Sequence, residues 1–213
     1  MEQDTGGPTP QEDDILARAE KRCRQARQAL DSLGLMERWS PYGKPVLVGA
    51  VRYGLAVAPD IDLEIYSENP QISHGFEVMA AVAQLPGVWK IRYSNELDRA
   101  DQGLYWQIRF RMDDGEVWKV DNWLLAENHP QAHWNERLAL ALDRALTPET
   151  RRAILTIKEA LSGQEGVHGI DIYQAVLERG VRSPESFLDW LRTKPTEPFN
   201  YWMPPGPVKQ SLP

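Results

Sequence analysis

The stretch Val46–Tyr66, VLVGAVRYGLAVAPDIDLEIY, decides the fold of this chain. It opens with a short apolar run that leads into Gly49 and Ala50, and it closes with DIDLEIY, in which acidic and aliphatic residues alternate. Both patterns predict β-strands, the second with one acidic face and one apolar face. Asp60 and Asp62 are therefore expected on the same strand face, roughly 6.5–7 Å apart along it.

The segments that follow predict a helix, a third strand and a β-hairpin. The helix is expected between Asn69 and Pro86, where apolar residues recur at helical spacing. Three further strands are predicted at Trp89–Ser94, Leu104–Met112 and Glu116–Leu125. An acid-acid-Gly turn at 113–115 joins the last two strands, and such a turn between alternating β-formers is a strong hairpin signal.

The hairpin turn sets which side chains face each other. A three-residue loop with Gly115 in the left-handed conformation places Arg109 opposite Lys119 and Gln107 opposite Asp121. A two-residue turn would instead place apolar side chains of the first strand opposite Lys119 and Asp121. We favour the first register because it collects polar side chains on one open face. Two facing cations are unfavourable unless an anion lies between them, and a nucleoside triphosphate is such an anion.

Gly49-Ala50 followed by Asp60-Ile61-Asp62 resembles the signature of the DNA polymerase β-type nucleotidyltransferase superfamily, including its small bacterial members. That signature is a hydrophobic residue and Gly, then Ser or Gly, a gap, and Asp-hydrophobic-Asp. The superfamily has a third carboxylate on a later strand, and Asp121 is its counterpart here. The C-terminal helices are more distantly similar, in layout, to those of aminoglycoside and lincosamide nucleotidyltransferases.

The resemblance implies an α+β fold. It predicts a nucleotidyltransferase-like mixed sheet with helices on one face, plus an N-terminal helix and a C-terminal helical region. We accordingly divide the chain into five segments. They are a disordered leader (1–8), an N-terminal helix with its connection (9–41), the nucleotidyltransferase-like core (42–128), the C-terminal helical region (129–192) and an extended proline-rich tail (193–213).

The three acids suit a metal site. Asp60 and Asp62, with Asp121 from a neighbouring strand, can hold one or two Mg²⁺ ions, which prefer hard oxygen ligands and take phosphate oxygens as the remainder. Such ions stabilise the attacking and leaving oxygens of an in-line displacement. Asp121 is also the candidate general base for an acceptor hydroxyl. Alternating acids also occur on the wet face of an amphipathic strand, but acids on one face repel each other unless a cation neutralises them.

Five residues are assigned to nucleotide binding: Gly49, Ala50, Arg52, Arg109 and Lys119. Gly49 permits close approach of the backbone to phosphate. Ala50 departs from the superfamily pattern, because the hydroxyl of a serine at this position is missing. Arg52 is either a source of positive charge for the phosphates or a surface arginine, and both readings stay open.

Composition and net charge limit the cellular locations and the classes of partner that are expected. The 213 residues are 42% hydrophobic and 26% charged, with a net charge of −7 and a sequence pI near 5.2. We therefore expect a folded cytoplasmic protein without a membrane span, and a single cysteine excludes an internal disulfide. The acidic balance argues against nucleic acid as a partner and favours a small, cationic acceptor. The first helix is equally suited to self-association and to packing on its own domain.

Two functions follow from these observations. The first is an Mg²⁺-dependent nucleotidyltransferase that moves a nucleoside monophosphate from a nucleoside triphosphate, such as ATP, to a hydroxyl of a small molecule or protein. The alternative is a catalytically inactive protein of the same fold that binds a nucleotide or a partner protein. The intact acids Asp60, Asp62 and Asp121 favour the enzyme, whereas Ala50 favours the binding protein.

Overall fold

A computed structural model of the chain describes residues 10–195 and 200–205, with side chains from residue 15 onward. The expected leader at 1–8 and most of the proline-rich tail lie outside the described residues. The elements in chain order are α1 (Pro10–Leu33), α2 (Leu35–Trp39), β1 (Lys44–Val48), α3 (Gly49–Arg52), β2 (Asp60–Ser67), α4 (Ile72–Val82), β3 (Val88–Asn95), β4 (Leu104–Arg111), β5 (Val117–Ala126), α5 (Trp134–Ala145), α6 (Pro148–Ala160), α7 (Gly169–Arg179) and α8 (Pro184–Thr193).

The strands form one mixed sheet in the order β1-β2-β5-β4-β3. Strands β2 and β5 run parallel at its centre, and every other neighbouring pair is antiparallel. Strands β1 and β3 lie at the two edges. The predicted α+β class with a mixed sheet is thus confirmed.

The hairpin between β4 and β5 has the favoured register. Arg109 lies opposite Lys119, and Gln107 lies opposite Asp121. Gly115 has a φ of +87°, and the Met112 N–H donates to the Glu116 carbonyl at 2.9 Å. The three-residue loop predicted from the sequence is confirmed, and with it the gathering of polar side chains on one face of the sheet.

The other face of the sheet packs against α1, α2 and α4. Its core contains Trp106 and Trp118, both fully buried, together with the aliphatic side chains of β2. Asn122, the polar residue that follows Asp121, belongs to this buried face. Its Oδ1 accepts a hydrogen bond from Trp39 Nε1 at 3.0 Å, and its Nδ2 donates to the Trp106 carbonyl at 3.3 Å. Adjacent polar residues on β5 therefore serve opposite faces of the sheet.

A second hydrophobic cluster joins the C-terminal helices to the segment that follows α3. Helices α5, α6, α7 and α8 contribute to it, and so do Tyr53 and Leu55. Ile15 and Ala19 of α1 belong to this cluster, whereas Ala26 and Leu30 of α1 belong to the sheet core. Helix α1 thus packs on both halves of the structure and holds the helical region beside the sheet.

Within the described ranges, every helix falls short of the length and apolar character that crossing a bilayer requires. The cytoplasmic location expected from the composition stays a prediction.

Replacement of Gly75 by alanine tests how α4 packs on the sheet. A Cβ at this position would overlap the indole of the fully buried Trp106. In an unconstrained helix, Gly→Ala stabilises by about 1 kcal/mol, but here we expect overpacking to dominate and G75A to lower the free energy of unfolding by about 1–3 kcal/mol. Urea denaturation measures the change. Ser73→Ala at an exposed position of the same helix is the control, and equal effects of the two variants would contradict the packing.

Candidate active site

Three carboxylates meet on the open face of the sheet, where β2 and β5 run side by side. Their parallel pairing places Asp62 opposite Asp121 and Asp60 opposite Lys119. One oxygen from each of the three acids lies within 4.8 Å of the others. The structure therefore brings together the acids that the sequence assigned to one metal site, although their role as ligands stays a prediction.

Gly49 makes room for this cluster. It follows β1, has a φ of +68° and opens the short helix α3. A Cβ at this position would overlap a carboxylate oxygen of Asp62, so a side chain here would displace that acid. Ala50 follows in the same turn and lines the cleft beside the acids. Strand β1, which leads into Gly49, pairs directly with the acidic strand β2, so Gly49 lies against Asp62.

The electrostatics of the cluster favour a bound cation. Burial, together with the charges of Asp60 and Asp121, raises the pKa of Asp62 to about 7. Burial also raises the pKa of Asp60, against the opposing charge of Lys119. Asp60 Oδ1 is buried and finds no hydrogen-bond partner among the described residues. A buried carboxylate oxygen without a partner costs free energy. The donor set, three carboxylates with one unsatisfied oxygen, fits a hard divalent cation.

Lys119 lies inside the acidic cluster. Its Nζ is 3.0 Å from Asp60 Oδ2 and 2.9 Å from Asp121 Oδ2. Burial lowers the pKa of Lys119, but the hydrogen bond to Asp121 and the charge of Asp60 outweigh it and raise the pKa above its usual range. Arg109, opposite Lys119 on β4, adds a charge that opposes the rise in the pKa of Asp60. Two of the three cations assigned to nucleotide binding, Arg109 and Lys119, therefore lie next to the acids, and their role in binding a nucleotide stays a prediction.

Asp121 is held by neighbours on β4. Its Oδ1 accepts hydrogen bonds from the Tyr105 hydroxyl at 2.8 Å and from Gln107 Nε2 at 3.3 Å. Gln107 Nε2 also donates to the Tyr105 hydroxyl at 2.9 Å. These bonds fix the orientation of a carboxylate that is mostly buried. Sequence reasoning gave Tyr105 no role, because a tyrosine in a strand is ordinarily a packing residue.

A cleft of about 250 Å³ opens beside Asp60 and Asp62. One wall is formed by α3 and by residues 56–58, and the other by the end of α6, the loop after it and the start of α7. Residues that line it include Ala50, Val57, Lys158, Ser162, Gly163 and Ile172. The cleft therefore runs from the acids to the C-terminal helical region.

Lys158 on α6 is the cation of this cleft, and sequence reasoning missed it. Its Nζ donates to the Leu55 carbonyl at 2.7 Å and lies 3.4 Å from the Tyr173 hydroxyl. Burial lowers the pKa of Lys158 to about 8, against the opposing charges of Asp62 and Asp60. Nothing in the local sequence marks it, because a lysine in an amphipathic helix ordinarily lies on the solvated face.

Two further residues lie away from the acids, towards α5. Arg52, assigned to nucleotide binding, places Nη2 3.0 Å from Asp143 Oδ2 on α5, and its role in nucleotide binding stays a prediction. Glu64 follows Asp62 on the same face of β2 but accepts a hydrogen bond from Asn135 Nδ2 at 2.7 Å. Glu64 therefore connects the sheet to α5, and it is not part of the cluster of three acids.

Comparison with solved structures identifies the fold. The chain is similar to Cid1, described as having RNA terminal uridylyl transferase activity, with a TM-score of 0.55 at 17% identity over 74% of this chain and 47% of that one. A cytoplasmic RNA terminal U-transferase gives a TM-score of 0.52 at 19% identity, over 74% and 47% of the two chains. The structure of the GLD-2/RNP-8 complex gives a TM-score of 0.55 at 13% identity, over 92% of this chain and 74% of that one.

These proteins belong to the DNA polymerase β-type nucleotidyltransferase superfamily, so the resemblance read from the sequence is confirmed at the level of the fold. The chain spans about half the length of the Cid1 chain that it matches. No protein-family model and no curated protein sequence matches it.

The expectation that nucleic acid is an unlikely partner is wrong. It rested on the net charge of −7, and the same reasoning favoured a small-molecule acceptor. The solved structures that the chain resembles include RNA terminal uridylyl transferases, which act on nucleic acid. The physical reason is that net charge sums over the whole chain, whereas a bound strand is held by the charges within about one Debye length of it.

Replacement of Gly49 by alanine tests the contact between Gly49 and the acids. The Cβ would displace the Asp62 carboxylate, and we expect G49A to weaken binding of Mn²⁺, a spectroscopic substitute for Mg²⁺, by at least roughly tenfold, the loss of about one charged ligand contact. Electron paramagnetic resonance of free Mn²⁺ measures the affinity.

Gly180→Ala is the matched control for this experiment. Gly180 has the same φ of +68°, but a Cβ there meets nothing within 4 Å, so it imposes similar backbone strain away from the acids. Equal losses of Mn²⁺ affinity in both variants would show that backbone strain, and not the carboxylate contact, is responsible.

Proposed function

We propose that this protein is a nucleotidyltransferase that moves a nucleoside monophosphate from a nucleoside triphosphate to a hydroxyl at the end of an RNA strand. The observation that carries the proposal is the cluster of Asp60, Asp62 and Asp121 on the open face of a nucleotidyltransferase fold, next to a cleft. The acceptor class is supported by the similarity to structures named as RNA terminal uridylyl transferases.

Asp60, Asp62 and Asp121 would hold the divalent cation, for which we propose Mg²⁺. Asp60 Oδ1 is buried without a hydrogen-bond partner among the described residues, and the pKa of Asp62 is raised. Both observations support a cation at this position, because a positive charge would stabilise the two carboxylates. When bound, such an ion supplies the charge that stabilises the attacking and leaving oxygens of a phosphoryl displacement. Lys119 supplies part of that charge from the protein, because its ammonium already contacts Asp60 and Asp121.

The cleft between the acids and the helical region is the proposed site of the nucleoside triphosphate. Lys158 faces the acids across this cleft and brings the positive charge that phosphate oxygens need. On the opposite side the cleft is lined by the small side chain of Ala50 in α3, which leaves room for phosphate to approach the backbone there. An aliphatic wall that includes Val57 and Ile172 is suited to contact with the nucleoside.

Asp121 is the proposed general base. Its Oδ1 accepts from Tyr105 and Gln107, and its Oδ2 faces Lys119, so the carboxylate is held in one orientation beside the other two acids. A carboxylate fixed in this way takes the proton of the acceptor hydroxyl as that oxygen attacks the α-phosphorus and pyrophosphate leaves.

A catalytically inactive protein of the same fold is the second candidate. The observation that favours it is Lys119, whose ammonium lies between Asp60 and Asp121, at distances of 3.0 and 2.9 Å, and already neutralises them in part. Ala50, in place of the usual Ser or Gly, points the same way. Such a protein would bind the nucleotide without transferring it.

Substitution of Asp121 tests transfer directly. We expect D121N to lower kcat by about 10²–10⁴-fold, because the substitution removes both the proposed general base and one carboxylate of the proposed metal site. Asp121 does not line the cleft, so we expect the nucleotide still to bind. Incorporation of labelled nucleotides into a short RNA in the presence of Mg²⁺ measures the rate. Glu68→Gln, at an exposed acid that directly follows β2, is the charge-matched control. A wild-type protein that binds nucleotide but incorporates none of the four would favour the second candidate.

Substitution of Lys158 tests the cleft. We expect K158Q to raise the KM for the nucleoside triphosphate by roughly 10–100-fold, the loss of a charged hydrogen bond, with a smaller effect on kcat. Steady-state kinetics separate the two parameters, and thermal unfolding checks that loss of the bond to the Leu55 carbonyl leaves the protein folded. An unchanged KM in a folded variant would place the triphosphate elsewhere.

A further inference from the structure

A row of cations crosses the open face of the sheet and ends at the acids. Lys90 on edge strand β3 lies opposite Arg109 on β4, and Arg109 lies opposite Lys119 on β5. Lys119 in turn lies opposite Asp60 on β2. Since neighbouring strands are about 4.8 Å apart, the three cations span roughly 10 Å across the sheet. The row points from the sheet edge to the candidate catalytic centre.

A second row runs beside the first. Arg92 on β3 lies opposite Gln107 on β4, and Gln107 lies opposite Asp121. Lys90, Arg92 and Arg109 together are called the cationic face below. Both rows run from β3 through β4 to β5 and so reach the cluster of three acids from the β3 side.

No acid of the described chain neutralises the cationic face by an ion pair. Glu96, which follows β3, pairs with Arg99, and Glu116, which precedes β5, pairs with Arg22. Lys90 Nζ instead lies 5.9 Å from the exposed ring of Trp89. Like charges opposite each other on neighbouring strands are destabilising. An anion that spans the strands would remove this repulsion.

Two aromatic rings lie on the same face of the sheet as these cations. Tyr105 and Trp123 are cross-strand partners with ring centroids 4.7 Å apart, and they occupy the row next to Gln107 and Asp121. Trp89, beside Lys90, is 58% exposed. Cations that follow a path, together with aromatic rings, are the combination with which proteins bind single-stranded nucleic acid, since phosphates contact the cations and bases stack on the rings.

We propose that the cationic face binds the acceptor as a single-stranded polynucleotide, with its phosphodiesters on Lys90, Arg92 and Arg109 and its terminal hydroxyl at Asp121. This inference rests on the proposed function and gives the acceptor a path. A single phosphate would occupy one end of the rows, whereas a repeating anion matches their length. Because β3 is an edge strand, the polymer can continue beyond the sheet without a steric barrier from another strand.

Binding of labelled oligouridylate to the 213-residue chain tests the proposal, and oligodeoxyuridylate of equal length is the second ligand. The variant is K90Q/R92Q, which leaves Arg109 and the acidic cluster intact. The control, R27Q/R144Q, removes the same charge at exposed positions on α1 and α5. Fluorescence anisotropy across a salt series gives the affinity and its salt dependence, and thermal unfolding checks that both variants are folded.

We expect K90Q/R92Q to bind the strand at least roughly tenfold more weakly than wild type, with the slope of log affinity against log salt reduced by about 1.4, which is two phosphate contacts at about 0.7 each. The control should bind like wild type. Preference for the RNA ligand assigns the face to RNA, and equal binding assigns it to single strands of either kind. Equal effects of variant and control, or displacement of the strand by polyglutamate as effective as by RNA, overturn the proposal.

Binding of a non-hydrolysable nucleoside triphosphate, measured on the same samples, separates this inference from the proposed function. Wild-type protein that binds the nucleotide but no strand overturns the cationic face as an acceptor site and leaves the nucleotide site standing. Wild-type protein that binds the strand through Lys90 and Arg92 but binds no nucleotide supports the cationic face and contradicts the proposed function.

Discussion

The parallel pairing of β2 with β5 is the constraint on which the rest of the site depends. It sets Asp62 against Asp121 and Asp60 against Lys119, so that two separated segments of sequence form one cluster. Parallel strands need a crossover connection, and here α4, β3 and β4 supply it. A slip of one residue would turn Asp121 into the core and Asn122 outwards, which the bond from Trp39 to Asn122 opposes. Asp121 and Asn122 together therefore specify both the strand register and the packing of the core.

Bringing three acids together is costly, and the surrounding residues show how the fold accommodates it. Gly49 leaves space for the Asp62 carboxylate, and Lys119 offsets the charges of Asp60 and Asp121. The compensation is incomplete, since the pKa of Asp62 is raised to about 7 and Asp60 Oδ1 has no partner among the described residues. Buried acids whose pKa values are raised by burial and by neighbouring charges cluster at functional sites, and three carboxylates are a donor set that suits a divalent cation.

Local patterns in the sequence predicted much of this arrangement. Alternation placed Asp60 and Asp62 on one face, and the turn at Gly115 set the pairing of Arg109 with Lys119, because both are governed by residues close together in the chain. Lys158 could not be found in this way. It reaches the cleft only because α6 packs on the segment that contains Leu55, a tertiary contact that leaves no local pattern.

The prediction that nucleic acid is an unlikely partner failed for the same reason that Lys158 was missed, because both depend on where residues lie in the folded structure. Net charge is a property of composition, whereas recognition depends on where charges lie, and strand pairing here separates the two signs. Acids converge at the centre of the open face, where β2 meets β5, and cations line the strands from there to the β3 edge. In the strand order, Lys90 and Arg92 on β3 lie nearer to that edge than Asp60, Asp62 and Asp121, which lie on β2 and β5. A chain with a net charge of −7 can thus present a row of cations beside a cluster of three acids, and the sheet's register determines both.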